Sequence, residues 1–206
     1  MNASAGRAPS IEIWFDFASH YSYLAVMRVE EAASARGVAV QWKPVLLGPI
    51  FRAIGWQSSP FVEQKAKGEY AWRDIERQCR KYGLELKRPS TFPRPSLTPL
   101  RVALAGADEP WVGDFCREVM RMNFARDMDI DSVEAVTGAL GRLGLPVEPI
   151  VARALSNENK LALREQTEEA QRRGLFGAPT FFVGEEMFWG NDRLEDALEF
   201  AVASAR

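Results

Sequence analysis

The chain is 206 residues long, room for one large domain or one domain carrying an insertion. Apolar residues make up 47% of it, with 12 Phe, 6 Trp and 4 Tyr, so a sizeable core is available. The formal net charge of −2 comes from interspersed acids and bases; with no basic stripe and no apolar run of membrane-spanning length, neither nucleic acid nor a bilayer is an expected partner.

Residues 1–10 lack the apolar centre of a secretion signal and are expected to form a flexible tail, which points to the cytoplasm. Ile11-Glu12-Ile13-Trp14-Phe15 then alternates, with branched and aromatic residues, as a strand does. Ser19 stands where a helix cap belongs, Val26, Val29 and Ala33 share one helical face, and Gly37 can close the helix, so one helix is predicted over residues 19–36. Residues 38–45 read as a second strand, parallel to the first because a helix joins them. Residues 46–55 are a loop or short helix.

From residue 60 to about 173 the pattern is helical with breaks. Trp72, Ile75, Cys79 and Tyr82 make one apolar stripe, Trp111, Phe115, Val119 and Met122 a second, and Val133, Val136, Leu140 and Leu143 a third; these are packing faces. Residues 88–95 are proline-rich and cannot be helix throughout. A polar helix over 157–173 ends at Gly174. Residues 177–183 and 187–189 form a hairpin through Gly184-Glu185-Glu186, and a last helix runs to about Ala203, capped by Asn191 or Asp192.

The order is therefore strand–helix–strand, a helical block, then strand–strand–helix. Neither end of the chain can bury a sheet face alone. Together they resemble an α/β thioredoxin-like fold: a four-stranded mixed sheet from residues 11–46 and 174–206, with residues 47–173 as an inserted all-helical domain.

In thioredoxin-like proteins the first strand-to-helix turn holds Cys-x-x-Cys; here it reads Ser19-His20-Tyr21-Ser22. A hydroxyl cannot cycle through a disulfide, so thiol–disulfide exchange at this turn is excluded. What survives is a hydroxyl donor at a helix N-terminus, a setting that favours an anion such as a thiolate brought from outside. Alone, such a serine is a plain cap. Cys79 and Cys116 form neither Cys-x-x-Cys nor a metal spacing and read as buried small residues; with His20 the sole histidine, no metal site is expected. His20 next to Ser19 cannot serve it as in a Ser-His-Asp hydrolase, and there is no Gly-x-Ser-x-Gly, P-loop or Gly-x-Gly-x-x-Gly.

Two further pieces join Ser19. In a thioredoxin-like sheet, a proline in the place of Pro179 is commonly cis and faces the first helix's start; Ala178 before it could pair with an extended peptide, although an ordinary strand-opening proline would look the same. Asn191-Asp192 suits an amino-acid head, with Asp192 on the ammonium and Asn191 with backbone N–H groups on the carboxylate, although a plain helix cap reads alike. The three together describe a slot for a thiol-bearing peptide with an amino-acid head, which is glutathione.

Phe15-Asp16-Phe17-x-Ser19-x-Tyr21-Ser22-Tyr23-Leu24-Ala25, Lys43-Pro44-Val45-Leu46-Leu47-Gly48, Gly177-Ala178-Pro179-Thr180-Phe181 and Met187-Phe188-Trp189-Gly190-Asn191-Asp192-Arg193-Leu194 occur in that order. Over nearly its whole length the chain resembles the bacterial 2-hydroxychromene-2-carboxylate isomerases, and more distantly the kappa-class glutathione transferases and DsbA-like proteins. The resemblance implies that Ser19 contacts the glutathione sulfur, that Ala178-Pro179 binds its middle, that Asn191-Asp192 holds its glutamyl head, and that the protein is a homodimer. Relatives usually carry Pro where His20 stands, and many carry Asn where Trp56 stands.

The implied reaction is cis–trans isomerisation of a small aromatic keto acid by reversible thiolate addition, which turns a double bond into one that rotates. His20 is a candidate helper, as a base for the thiol or a positive charge beside it. Trp56, Tyr70, Trp72 and Phe92 are candidates for an apolar substrate wall, and Lys43 or Arg88 for its carboxylate. Glutathione conjugation of another electrophile fits the same slot, and a non-catalytic peptide-binding module is a further alternative.

Overall fold

The computed structural model describes residues 8–205. The first strand, β1 (Ser10–Phe15), leads through a tight turn into α1 (His20–Val26) and α2 (Val29–Ser34), and then into β2 (Ala39–Pro44). Eight helices follow: α3 (Leu47–Ala53), α4 (Pro60–Glu63), α5 (Lys65–Tyr82), α6 (Leu97–Ala105), α7 (Val112–Phe124), α8 (Val133–Arg142), α9 (Val147–Leu155) and α10 (Asn157–Arg172). The chain returns to the sheet with β3 (Thr180–Val183) and β4 (Glu186–Trp189), makes a 3-10 turn at Asn191–Arg193, and ends in α11 (Leu194–Ser204). Among the described residues, no helix is long and apolar enough to cross a membrane.

The sheet has the order β2-β1-β3-β4. β1 runs parallel to β2, with Ile13 opposite Trp42, and antiparallel to β3, with Ile13 opposite Phe181; β3 and β4 form the hairpin, with Phe181 opposite Phe188. β1 is thus central, and its residues are buried on both faces. Ile11, Ile13 and Phe15 face the main core, while Trp14 points the other way into a smaller cluster with Val45, Leu47, Ile50, Leu175 and Phe182. The main core is continuous: Phe15 and Phe17 from the sheet side join Phe115, Val119 and Leu140 from the inserted helices. Phe17 meets Phe115 edge-on at 6.3 Å, so the insertion covers one sheet face rather than standing apart from it.

Three local expectations are corrected. The helix predicted over 19–36 is two: at Met27 and Arg28 the winding tightens, with Arg28 N–H bonded to the Ala25 carbonyl at 3.1 Å. Apolar spacing continues across this joint, which is why the sequence reads as one helix. The tail predicted over 1–10 gives way to structure by residue 9: the Pro9 carbonyl accepts from Ala39 N–H at 2.8 Å and Ser10 already belongs to β1, while residues 1–7 lie outside the described ones. Neither Asn191 nor Asp192 caps the last helix; both lie within the 3-10 turn before it, where no side-chain cap forms.

Candidate functional site

The turn after β1 is held from three sides. The Asp16 carboxylate accepts from Ala18 N–H at 2.9 Å, from Leu47 N–H at 2.9 Å and from Ser96 Oγ–H at 2.6 Å, which ties the turn to the starts of α3 and α6. Burial pushes the Asp16 carboxyl above its ordinary range, opposed by those same hydrogen bonds. Asn123 on α7 donates to the Phe17 carbonyl at 2.9 Å. Sequence reasoning assigned Asp16 and Asn123 no role. The available signal for Asp16 was a carboxylate set between two phenylalanines at the end of a buried strand.

Ser19 caps α1: its Oγ accepts from Ser22 N–H at 3.1 Å and donates to the Ala178 carbonyl at 2.9 Å. The Ala178–Pro179 peptide bond is cis. Ser19 is 8% exposed and lines a cleft of about 980 Å³ together with Ala178, Pro179, Asn191 and Asp192. The structure therefore brings together all the residues expected to hold a peptide ligand. Ser22 is not among them; its hydroxyl is sealed in the core without a hydrogen-bond partner among the described residues. Because α1 spans only seven residues, the helix dipole expected from a longer helix is correspondingly reduced, which leaves the Ser19 hydroxyl as the polar side chain at its start.

Gly190 sets the far wall. Its φ of 115° suits glycine, and a Cβ there would meet Asp192 Oδ1 at 2.5 Å. Its N–H donates to the Pro179 carbonyl at 2.9 Å, which binds the 3-10 turn to the cis peptide. Asn191 is buried and its Oδ1 accepts from Arg28 Nη1 at 2.9 Å, leaving Nδ2 as its remaining polar group. Arg28 also pairs with Glu195 and stacks 3.8 Å from the centre of the Tyr82 ring. The Asp192 side chain is 73% exposed and sits 3.1 Å from Arg193.

His20 lines the cleft as a buried, neutral imidazole rather than as a positive charge. It is 1% exposed, ringed by Tyr21, Phe61, Trp72 and Phe92 with centroids 4.7 to 5.1 Å away. Burial pushes its pKa down to about 3, with the charge of Asp74 opposing, so the imidazole is neutral. Its Nε2 is buried without a partner among the described residues. The single imidazole thus props α1 against α4, α5 and the proline-rich loop. Tyr21 beside it donates to Asp74 Oδ2 at 3.0 Å.

Of the residues expected to meet substrate, Tyr70 and Phe92 line the cleft. Trp72 lies behind that wall, 4.9 Å from Phe92. Trp56 is outside the lining, which its neighbours Gln57, Ser58 and Ser59 supply instead. Arg88 lies over Trp72 at 5.0 Å, paired with Glu69 at 3.0 Å, away from the lining. Lys43 belongs to a separate depression beside β2, with Glu30, Asp108 and Glu109. The placement of Lys43 and Arg88 corrects the expectation that either reaches a ligand in this cleft. Phe61, Phe176 and Trp189 are wall residues that sequence reasoning missed.

Both cysteines are buried: burial raises the Cys79 thiol to about 11 and holds Cys116 well above the ordinary thiol range. The cleft therefore presents the cis Ala178–Pro179 peptide and the Ser19 hydroxyl, and neither cysteine lines it.

Residues 10–201 match the family model of the DSBA-like thioredoxin domain, which makes the chain a DsbA-like thioredoxin-fold protein, here with serine at the position of the redox cysteine. A 2-hydroxychromene-2-carboxylate isomerase of Pseudomonas sp. (strain C18) is 31% identical over 199 residues, covering 95% of this chain and 91% of that protein. A solved 2-hydroxychromene-2-carboxylate isomerase superposes with a TM-score of 0.83 at 28% identity, covering 95% of each chain. Glutathione s-transferase kappa 2 of Caenorhabditis elegans is 24% identical, covering 92% of this chain and 90% of that one. The chain belongs to the 2-hydroxychromene-2-carboxylate isomerase family and is an isomerase-like enzyme.

Proposed function

We propose that this enzyme is a glutathione-dependent cis–trans isomerase acting on an aromatic keto acid; the likeness to proteins named 2-hydroxychromene-2-carboxylate isomerase supports the isomerase part of that reading. The observation that carries the reading is the hydrogen bond between Ser19 Oγ and the Ala178 carbonyl in a cleft with no accessible cysteine. The residues present fit glutathione: the cleft is large enough, the Ala178 peptide offers a strand-like edge, and Asp192 places an exposed carboxylate, shared with Arg193, at the rim. When bound, glutathione supplies a thiolate able to add reversibly to a conjugated double bond and so permit its rotation.

The chain's own groups have defined tasks. The Ala178 peptide would pair with the ligand's backbone, and the Ser19 hydroxyl, by rotating its O–H from the Ala178 carbonyl, would donate to the sulfur and favour its ionised form, while Ser22 N–H holds Ser19 Oγ in place. Asp192 pairs with the ligand's ammonium, and Asn191 Nδ2, oriented by Arg28, donates to its carboxylate. Phe61, Tyr70 and Phe92 give the substrate's ring an apolar wall and thin out water around the sulfur.

A second reading, glutathione conjugation of another electrophile, is favoured by the likeness to the kappa-class protein. Measuring substrate loss against glutathione consumption decides between them. Isomerisation consumes none; consumption equal to substrate loss would overturn the isomerase reading in favour of conjugation. Activity independent of added thiol would overturn both.

A further inference from the structure

We propose that Lys67 is the partner of the substrate's carboxylate, so that the acceptor half of the cleft selects planar aromatic anions; this rests on the isomerase reading. Three cationic side chains line the cleft: Lys67, Arg94 and Arg193. Arg94 is buried and committed, pairing with Asp127 and donating to the Met128 carbonyl and to Ser90 Oγ. Arg193 is divided between Asp192 at 3.1 Å and Asp196 at 2.7 Å. Lys67 makes neither an ion pair nor a hydrogen bond with any described residue; its Nζ lies over the Phe61 ring, 5.9 Å from the centroid.

The backbone beneath Lys67 is fixed. Gly68 packs so closely on α4 that a Cβ would lie 2.0 Å from the Phe61 carbonyl oxygen. The start of α5 and the Phe61 backbone are therefore packed together, and the Phe61 ring stands edge-on to His20 at 4.9 Å. An aromatic ring lying along Phe61 places a carboxylate within reach of a lysine whose four-carbon stem is free to swing. The acids of the cleft do not compete for Lys67: Asp16 is held by three hydrogen bonds, Asp74 by Tyr21 and Arg77, and Asp192 by Arg193. A cation left unpaired beside an aromatic wall is the arrangement that an aromatic acid completes.

The test compares wild type with Lys67→Met and Lys67→Arg. For the aromatic keto acid, Lys67→Met raises KM by roughly five- to tenfold with kcat changed less than about twofold, and Lys67→Arg recovers most of the loss. Raising the salt concentration weakens substrate binding by wild type and much less by Lys67→Met. Calorimetry on the glutathione-loaded protein supplies an arm independent of turnover, with cinnamate and the neutral cinnamamide as probes. Wild type prefers the acid, and Lys67→Met loses that preference. An unchanged KM, or an acid preference that survives in Lys67→Met, overturns the assignment of Lys67. A wild type that prefers cinnamate through Lys67 yet isomerises nothing overturns the isomerase reading and leaves Lys67 as an anion site.

Discussion

Ser19 Oγ donates to the carbonyl of Ala178 across 2.9 Å, joining two residues 159 positions apart in the chain. The bond ties the cap of α1 to the cis peptide that opens β3. Ser19→Ala removes the hydroxyl that would face the sulfur. At saturating glutathione it should lower kcat by about 10²–10³-fold, the usual cost of one preorganised donor. Loss of the helix cap should also cost about 1 kcal/mol of stability. Ser19→Thr, which keeps the cap and the donor, should retain most activity. Titration with glutathione while following thiolate absorbance gives a direct readout: a thiolate signal in Ser19→Ala equal to wild type would remove Ser19 from the mechanism.

His20 predicts a pH dependence of stability. Its folded pKa, about 3, lies below the ordinary 6.5, so the unfolded chain takes up a proton that the folded one refuses. Above pH 6.5 both states are neutral and there is no penalty. As pH falls from 6.5 toward 3, this histidine should erode stability by up to about 1.4 kcal/mol per pH unit. Urea unfolding at pH 7, 6 and 5 should show that slope in wild type and a smaller one in His20→Phe. Equal slopes in the two proteins would mean that His20 takes up its proton in the folded state.

Asp192 is exposed and, among the described residues, pairs only with Arg193, so its removal should leave the fold intact. Asp192→Asn should raise KM for glutathione about tenfold, through the lost pairing with the ligand's ammonium, with kcat little altered. Thermal unfolding should stay within about 2 °C of wild type. A large fall in kcat with unchanged KM would place Asp192 elsewhere in the cycle.

The two thiols are buried and resist ionisation, so the chain should need neither for turnover. A Cys79→Ala/Cys116→Ala protein should lose roughly 1 kcal/mol per site from packing, remain fully dependent on added glutathione, and keep wild-type kcat. Loss of activity at a temperature where the variant is folded would show that one of these sulfurs takes part.

The strand–turn–helix at Ser19 and the hairpin after Pro179 were legible because each is encoded locally, by alternation and by turn residues. The surroundings of Arg28, where the first helix divides, were not, because they are tertiary: its guanidinium meets Asn191, Glu195 and Tyr82, which arrive from distant parts of the chain. The surroundings of His20 were hidden for the same reason, since Phe61, Trp72 and Phe92 come from three separate segments of the insertion. Lys43 and Arg88 were poor guides because a cation's reach depends on how the helices stack, which hydrophobic period alone does not specify. Asp16 was visible as a residue of the motif, but its three partners, which lock the turn, lie at both near and remote positions.

The central strand pairs with a neighbour that begins at Thr180, and the 3-10 turn that finishes the cleft closes only at Arg193. During synthesis, β1 and β2 therefore leave the ribosome long before β3 can pair with β1, which keeps one edge of β1 open until then. A nascent chain that stops short of Thr180 holds the Ser19 turn without the proline-bearing strand opposite it. The walls of the cleft thus come together only once the hairpin after Pro179 has docked on β1.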